Sequence, residues 1–112
     1  MKIEIFKHNT VEYSIHIGLN KHDNFDIIDA ASSTDIWFHV SDSPSCHVIL
    51  KTDEKISSIP RQVIKRCAYL CKINSKAKTQ SKCNISYTTI NNVTKTEIVG
   101  QVQVKNCKTV TV

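Results

Sequence analysis

Glycine and proline are scarce: the 112 residues hold only Gly18, Gly100, Pro44 and Pro60. Two isolated glycines cannot build a glycine-rich phosphate cradle, which excludes the common nucleotide-binding loops. No run approaches the roughly 18 apolar residues that cross a bilayer, so no membrane insertion is expected. The N-terminus, Met-Lys-Ile-Glu-Ile, places an acid where a secretion signal keeps its apolar centre, so export is not expected. No Cys-x-x-Cys pair occurs among Cys46, Cys67, Cys71, Cys83 and Cys107. Scattered cysteines in odd number, without an export signal, point to reduced thiols in the cytoplasm or the nucleus. Acids are nearly missing from the second half. Residues 61–112 carry Glu97 alone against ten Lys/Arg, whereas residues 1–60 carry nine Asp/Glu against five Lys/Arg.

What is present follows from that polarity. The net charge of +5 is the sum of an acidic first half and a strongly basic second half. A chain so divided presents a basic face, and basic faces attract phosphate polymers or anionic surfaces. The length fits one domain, residues 1–112, which buries roughly two-thirds of its unfolded surface.

Hydrophobic alternation predicts strands over 2–7 and 13–19. Asn20–Ala31 fits a short helix, with Phe25, Ile28 and Asp29 at helical spacing and Asn20 as cap. In Asp35–Leu50, Ile36, Phe38 and Val40 alternate with Asp35, Trp37 and His39. Ser41–Ser45 supplies a turn, after which Cys46, Val48 and Leu50 alternate with His47, Ile49 and Lys51. The only tryptophan thus shares a strand face with an aspartate and a histidine. Burying such a face is costly unless its polar atoms are paired. It is either a structural hydrogen-bond cluster or a surface that meets a ligand.

Residues 53–60 read as a loop, and Pro60–Ile73 as the clearest helix, with Ser57 or Ser58 as cap. At 100° per residue, Val63, Ile64, Cys67, Ala68, Leu70 and Cys71 share one arc, predicted to pack on a sheet containing Phe38 and Ile85. Arg61, Lys65 and Lys72 form a stripe on the other side, flanked by Tyr69 and Arg66 and continued by Lys76, Lys78 and Lys82 in a polar loop. A face kept only for solubility normally mixes signs. Cys83–Thr89, Val102–Val104 and Thr109–Val112 complete the strands, with a bend at Gly100. The order ββ-α-ββ-α-βββ predicts an α+β domain, a mostly antiparallel sheet carrying one clear helix and one short one.

Asp35-Ile-Trp-Phe-His39, Pro44-Ser-Cys-His-Val48, Ser86-Tyr87-Thr88, Val93-Thr-Lys95 and Gly100-Gln-Val102 resemble the NFACT RNA-binding domain of ribosome quality-control factors. Ile59-Pro60 and the ending Lys108-Thr-Val-Thr-Val112 resemble its eukaryotic coiled-coil-domain-containing branch more closely. The resemblance covers nearly the whole chain. Ser45 and Cys46 depart from the Gly-Ser of many relatives, and Val99 from their proline. It implies a non-catalytic RNA-binding module, with tRNA or ribosomal RNA as target and the ribosome as a further partner. These residues hold no coiled coil and no NFACT N-terminal domain, so the resemblance does not carry recruitment or tailing activity.

The candidate nucleic-acid-binding residues are Arg61, Lys65, Lys72, Lys76, Lys78, Lys82 and Lys95, with Trp37, His39 and His47 to stack on a base or bond a sugar or phosphate. A packed tryptophan with two satisfied histidines is the structural alternative. No cofactor and no metal are expected. Adjacent Cys46 and His47 point to opposite strand faces, which disfavours a zinc site. Three other functions stay in contest: DNA binding by the same face, docking of an acidic protein, and nucleotide chemistry through His39 and His47.

Overall fold

In the computed structural model, which describes residues 1–112, the strands are β1 (Lys2–His8), β2 (Val11–Ile17), β3 (Ile36–Val40), β4 (Val48–Lys51), β5 (Asn84–Thr89), β6 (Val93–Lys95), β7 (Val102–Val104) and β8 (Lys108–Thr111). The helices are α1 (Lys21–Asp29) and α2 (Arg61–Ile73). Six strands form an all-antiparallel sheet in the order β1-β2-β4-β3-β5-β8, and β6 pairs with β7 in a separate ribbon. The predicted α+β class is the one observed. The predicted order omits β6, whose three residues are too few to show alternation.

Both faces of the sheet are covered. Ile36, Phe38, Val40, Val48 and Leu50 lie under α2, with Ile15, Ile17 and Ile85 beside them. All six predicted apolar residues of α2 are buried. Full burial of one such side chain contributes roughly 1.5–3 kcal/mol, so this seam is a major source of stability. The opposite face has a smaller core of Ile27, Trp37, Ile49 and Ile90, covered by α1 and the β6–β7 ribbon. Both residue sets of β3 are therefore interior.

Two details of the helices differ from expectation. Asn20 does cap α1, its Oδ1 accepting from Asp23 N at 2.9 Å, but the buried residues are Asn24 and Ile27 rather than Phe25 and Ile28. Neither Ser57 nor Ser58 caps α2. A residue before proline is held out of the helical region, so Ile59 is extended and both serines lie too early, in a 3-10 turn. Pro60 is the N-cap, and its carbonyl accepts from Val63 N at 3.0 Å and Ile64 N at 3.2 Å.

Candidate nucleic-acid interface

The Trp37 face carries a hydrogen-bonded polar cluster. Asp35 is 2 % exposed, accepts from Ser32 N at 2.8 Å and Thr52 N at 2.9 Å, and pairs with Lys51 at 2.5 Å. Trp37 is also 2 % exposed, and its single donor, Nε1–H, donates to His47 Nδ1 at 3.0 Å. His47 is held through its backbone as well. Its N–H donates to Asn24 Oδ1 at 3.1 Å, and its carbonyl accepts from Gly18 N at 2.9 Å. Burial, with the nearby His39 second, pushes the His47 imidazole down to about 3, so it is neutral.

His39 differs. Its ring stacks on Trp37 with centroids 5.5 Å apart and planes 10° off parallel, and meets His47 edge-on at 4.9 Å. Its Nδ1 lies 2.7 Å from the Val40 carbonyl. A carbonyl only accepts, so Nδ1 carries the proton and Nε2 presents a lone pair. No protein group bonds that Nε2. Burial lowers the pKa of this ring too, opposed by the bond to Val40.

His39 half-lines an open cleft of about 770 Å³ at one end of the sheet. Four segments meet there: residues 19–24 at the start of α1, the Ser41–Ser45 turn, residues 74–76 after α2, and residues 99–102. Ser45 Oγ accepts from Val40 N at 3.0 Å, and Ser41 Oγ lies 2.7 Å from Ser86 Oγ, which hold the turn on the sheet. The glycines fit tight contacts. A Cβ on Gly100, at φ 86°, would lie 2.7 Å from Lys21 Cβ, and one on Gly18 would lie 2.1 Å from Asn24 Oδ1. Cys46 and Cys71 tie the cleft wall to α2, the Cys46 thiol contacting the Cys71 carbonyl at 3.4 Å and the Cys71 thiol the Cys46 carbonyl at 3.5 Å.

The candidate residues separate into groups. Arg61 and Lys65 are exposed on α2, and Arg61 shares a groove of about 440 Å³ with Lys108 of β8. Lys76 stands at the cleft, roughly one helix length, 18 Å, from the level of Arg61. Lys78 and Lys82 are exposed nearby in sequence. Lys72 breaks the expected stripe. It is 8 % exposed, and its Nζ donates to the Val112 carbonyl at 3.3 Å. The helical wheel places it among the cations, but the chain end folds over that part of α2. Lys95 forms an ion pair with Asp29 and lies over the Phe25 ring at 5.2 Å, so it fastens β6 to α1. Arg66 is also paired, with bidentate bonds to Glu4 at 2.7 and 2.8 Å. Trp37 and His47, expected as contacts, are interior; of the aromatic trio only His39 opens outward.

Sequence reasoning missed Lys21, Lys108 and the part of Gly100 in the cleft. Lys21 sits in the acidic half, where local charge argues against it, and Lys108 is far in sequence from Arg61. Neither carries a local signal.

The comparisons agree with this architecture. A solved structure, the C-terminal part of the fibronectin/fibrinogen-binding protein from Streptococcus suis, superposes with a TM-score of 0.85 at 24% identity, over 100% of this chain and 45% of that one. That likeness concerns the fold. In sequence, the profile of the NFACT protein RNA binding domain matches residues 2–106, and the chain belongs to that family. Coiled-coil domain-containing protein 25 of Mus musculus is 39% identical over 112 residues, 93% of this chain and 54% of that protein. The Rqc2 homolog RqcH of Bacillus subtilis is 32% identical over 88 residues, 78% of this chain and 15% of that protein. The chain thus spans about half the length of the coiled-coil domain-containing relative.

Proposed function

We propose that this domain binds RNA without catalysing a reaction on it, gripping the phosphate backbone with cations that have no acidic partner. One observation carries the reading. Of the ten Lys/Arg in residues 61–112, only Arg66 and Lys95 are in ion pairs, and Lys72 is buried on a carbonyl. Arg61, Lys65, Lys76, Lys78, Lys82, Lys105 and Lys108 are exposed with no acidic partner. Membership of an RNA-binding domain family supports RNA as the polymer. The likeness to RqcH supports a setting in ribosome quality control. Within that setting the proposed target is tRNA or ribosomal RNA, the proposed partner the ribosome, and the proposed location the cytoplasm. A-form RNA is read mostly through shape and backbone, which suits lysines better than base-coding side chains.

The test is a titration of the purified domain with tRNA, duplex RNA, single strands, DNA and an acidic peptide at several salt concentrations. RNA binding should weaken linearly in log affinity against log salt, with a slope of roughly 0.7–0.9 per phosphate contact. Binding to the peptide alone would refute the reading and give the lead to protein docking. Equal binding of duplex DNA would widen it to nucleic acids at large.

A further inference from the structure

Among the aromatic side chains that line the cleft, His39 is the one that offers a ligand a free acceptor. Asn24 and Gly18 hold the His47 backbone, His47 fixes Trp37, and Trp37 holds the His39 ring by stacking. The Val40 carbonyl then fixes the tautomer of His39. Fully buried side-chain nitrogens and oxygens all have partners, so the unbonded Nε2 of His39 faces the cleft. This rigid arrangement presents a neutral acceptor, which selects an O–H or N–H donor. Two lips of the cleft carry Lys21 and Lys76, both exposed and without acidic partners. The one acid at the rim, Asp42, lies on the serine turn and repels a phosphate from that side.

Two cations and one acceptor lining the same cleft suit a short piece of nucleic-acid backbone. The lysines attract successive phosphates, and a sugar lies between successive phosphates. We infer that the cleft seats one nucleotide of single-stranded RNA, its ribose 2′-hydroxyl donating to His39 Nε2. This inference rests on the RNA-binding reading and adds to it a place where RNA is told from DNA. The 2′-hydroxyl is the group that distinguishes the two polymers. A base amino group is the other donor of the same chemistry, and the experiment separates them.

Fluorescence anisotropy with short single strands of one sequence compares RNA, DNA and 2′-O-methyl RNA, on the parent protein and on His39→Phe. Phenylalanine keeps a ring for Trp37 and removes the acceptor. The parent should bind RNA about 2- to 10-fold tighter than the other two, the worth of one hydrogen bond. His39→Phe should bring RNA to the level of DNA, leaving DNA affinity and the salt slope unchanged. Thermal melting checks that the variant folds, and the comparison of polymers on the parent is independent of any variant. Equal affinity of the parent for RNA and DNA overturns the inference while RNA binding stands. So does an RNA preference that survives in folded His39→Phe. A preference that follows amino-bearing bases and ignores the 2′-position overturns the ribose assignment. If the parent binds none of the three but binds tRNA or duplex RNA in the titration above, the inference fails and the RNA-binding reading stands; if it binds no RNA in either assay, both fail.

Discussion

The neutral, buried His47 makes this fold sensitive to mild acid. In the unfolded chain a histidine titrates near 6.5, whereas folded His47 is held at about 3. The folded value is depressed for a base, so below pH 6.5 the unfolded chain binds a proton that the folded one refuses. The stabilisation is fully present above that pH and declines as pH falls toward 3. Between pH 7 and pH 5, this one group should remove about 2 kcal/mol, from the fraction of unfolded histidine protonated at each pH. No carboxylate offsets the effect: the titratable neighbour acting on His47 is His39, whose protonation would only add repulsion. Protonation would also cost the bond from Trp37, because Nδ1 could no longer accept. Urea unfolding at pH 7, 6 and 5, followed by the fluorescence of the sole tryptophan, measures it. His47→Gln serves as reference. The variant should be less stable at pH 7, yet lose about 2 kcal/mol less than the parent between pH 7 and 5. His16, also lowered mainly by burial, remains in the two proteins and cancels in the difference. An equal loss in parent and variant would refute the account of the buried imidazole.

Four further outcomes follow from the packing and the charge distribution. Lys76→Ala should weaken RNA binding and lower its salt slope by roughly 0.7–0.9, whereas Lys72→Met should leave the slope unchanged, as read by binding at several salt concentrations. Gly18→Ala should destabilise by about 1–3 kcal/mol in denaturant unfolding, because its Cβ would displace the Asn24 oxygen that accepts from His47 N. Cys67→Ser should cost about 1–3 kcal/mol in the same assay, since a hydroxyl replaces a thiol with no exposure to solvent. Elemental analysis of purified protein should find no stoichiometric zinc, and a chelator should leave the melting temperature unchanged.

The sequence by itself determined the elements whose signals are local. The arc of α2 shows in the chain because apolar residues recur every three or four positions, and the side they mark is the buried one. Alternation located β3 and β4, and Asn20 marked the start of α1 through a bond only three residues long. The charge division of the chain is likewise plain in its composition. Tertiary structure alone decided what each side chain meets. Lys72 belongs to the basic stripe by its wheel angle and leaves it because the C-terminal residues, 40 positions away, lie across it. Trp37 and His47 look like a binding face until α1 and the β6–β7 ribbon cover them, while His39, on the same strand face as Trp37, opens to the cleft. That cleft joins four segments from residues 19 to 102. Periodicity reports which way a side chain points relative to its own backbone. Whether a second element then lies over it depends on contacts between residues distant in sequence, which no local pattern encodes.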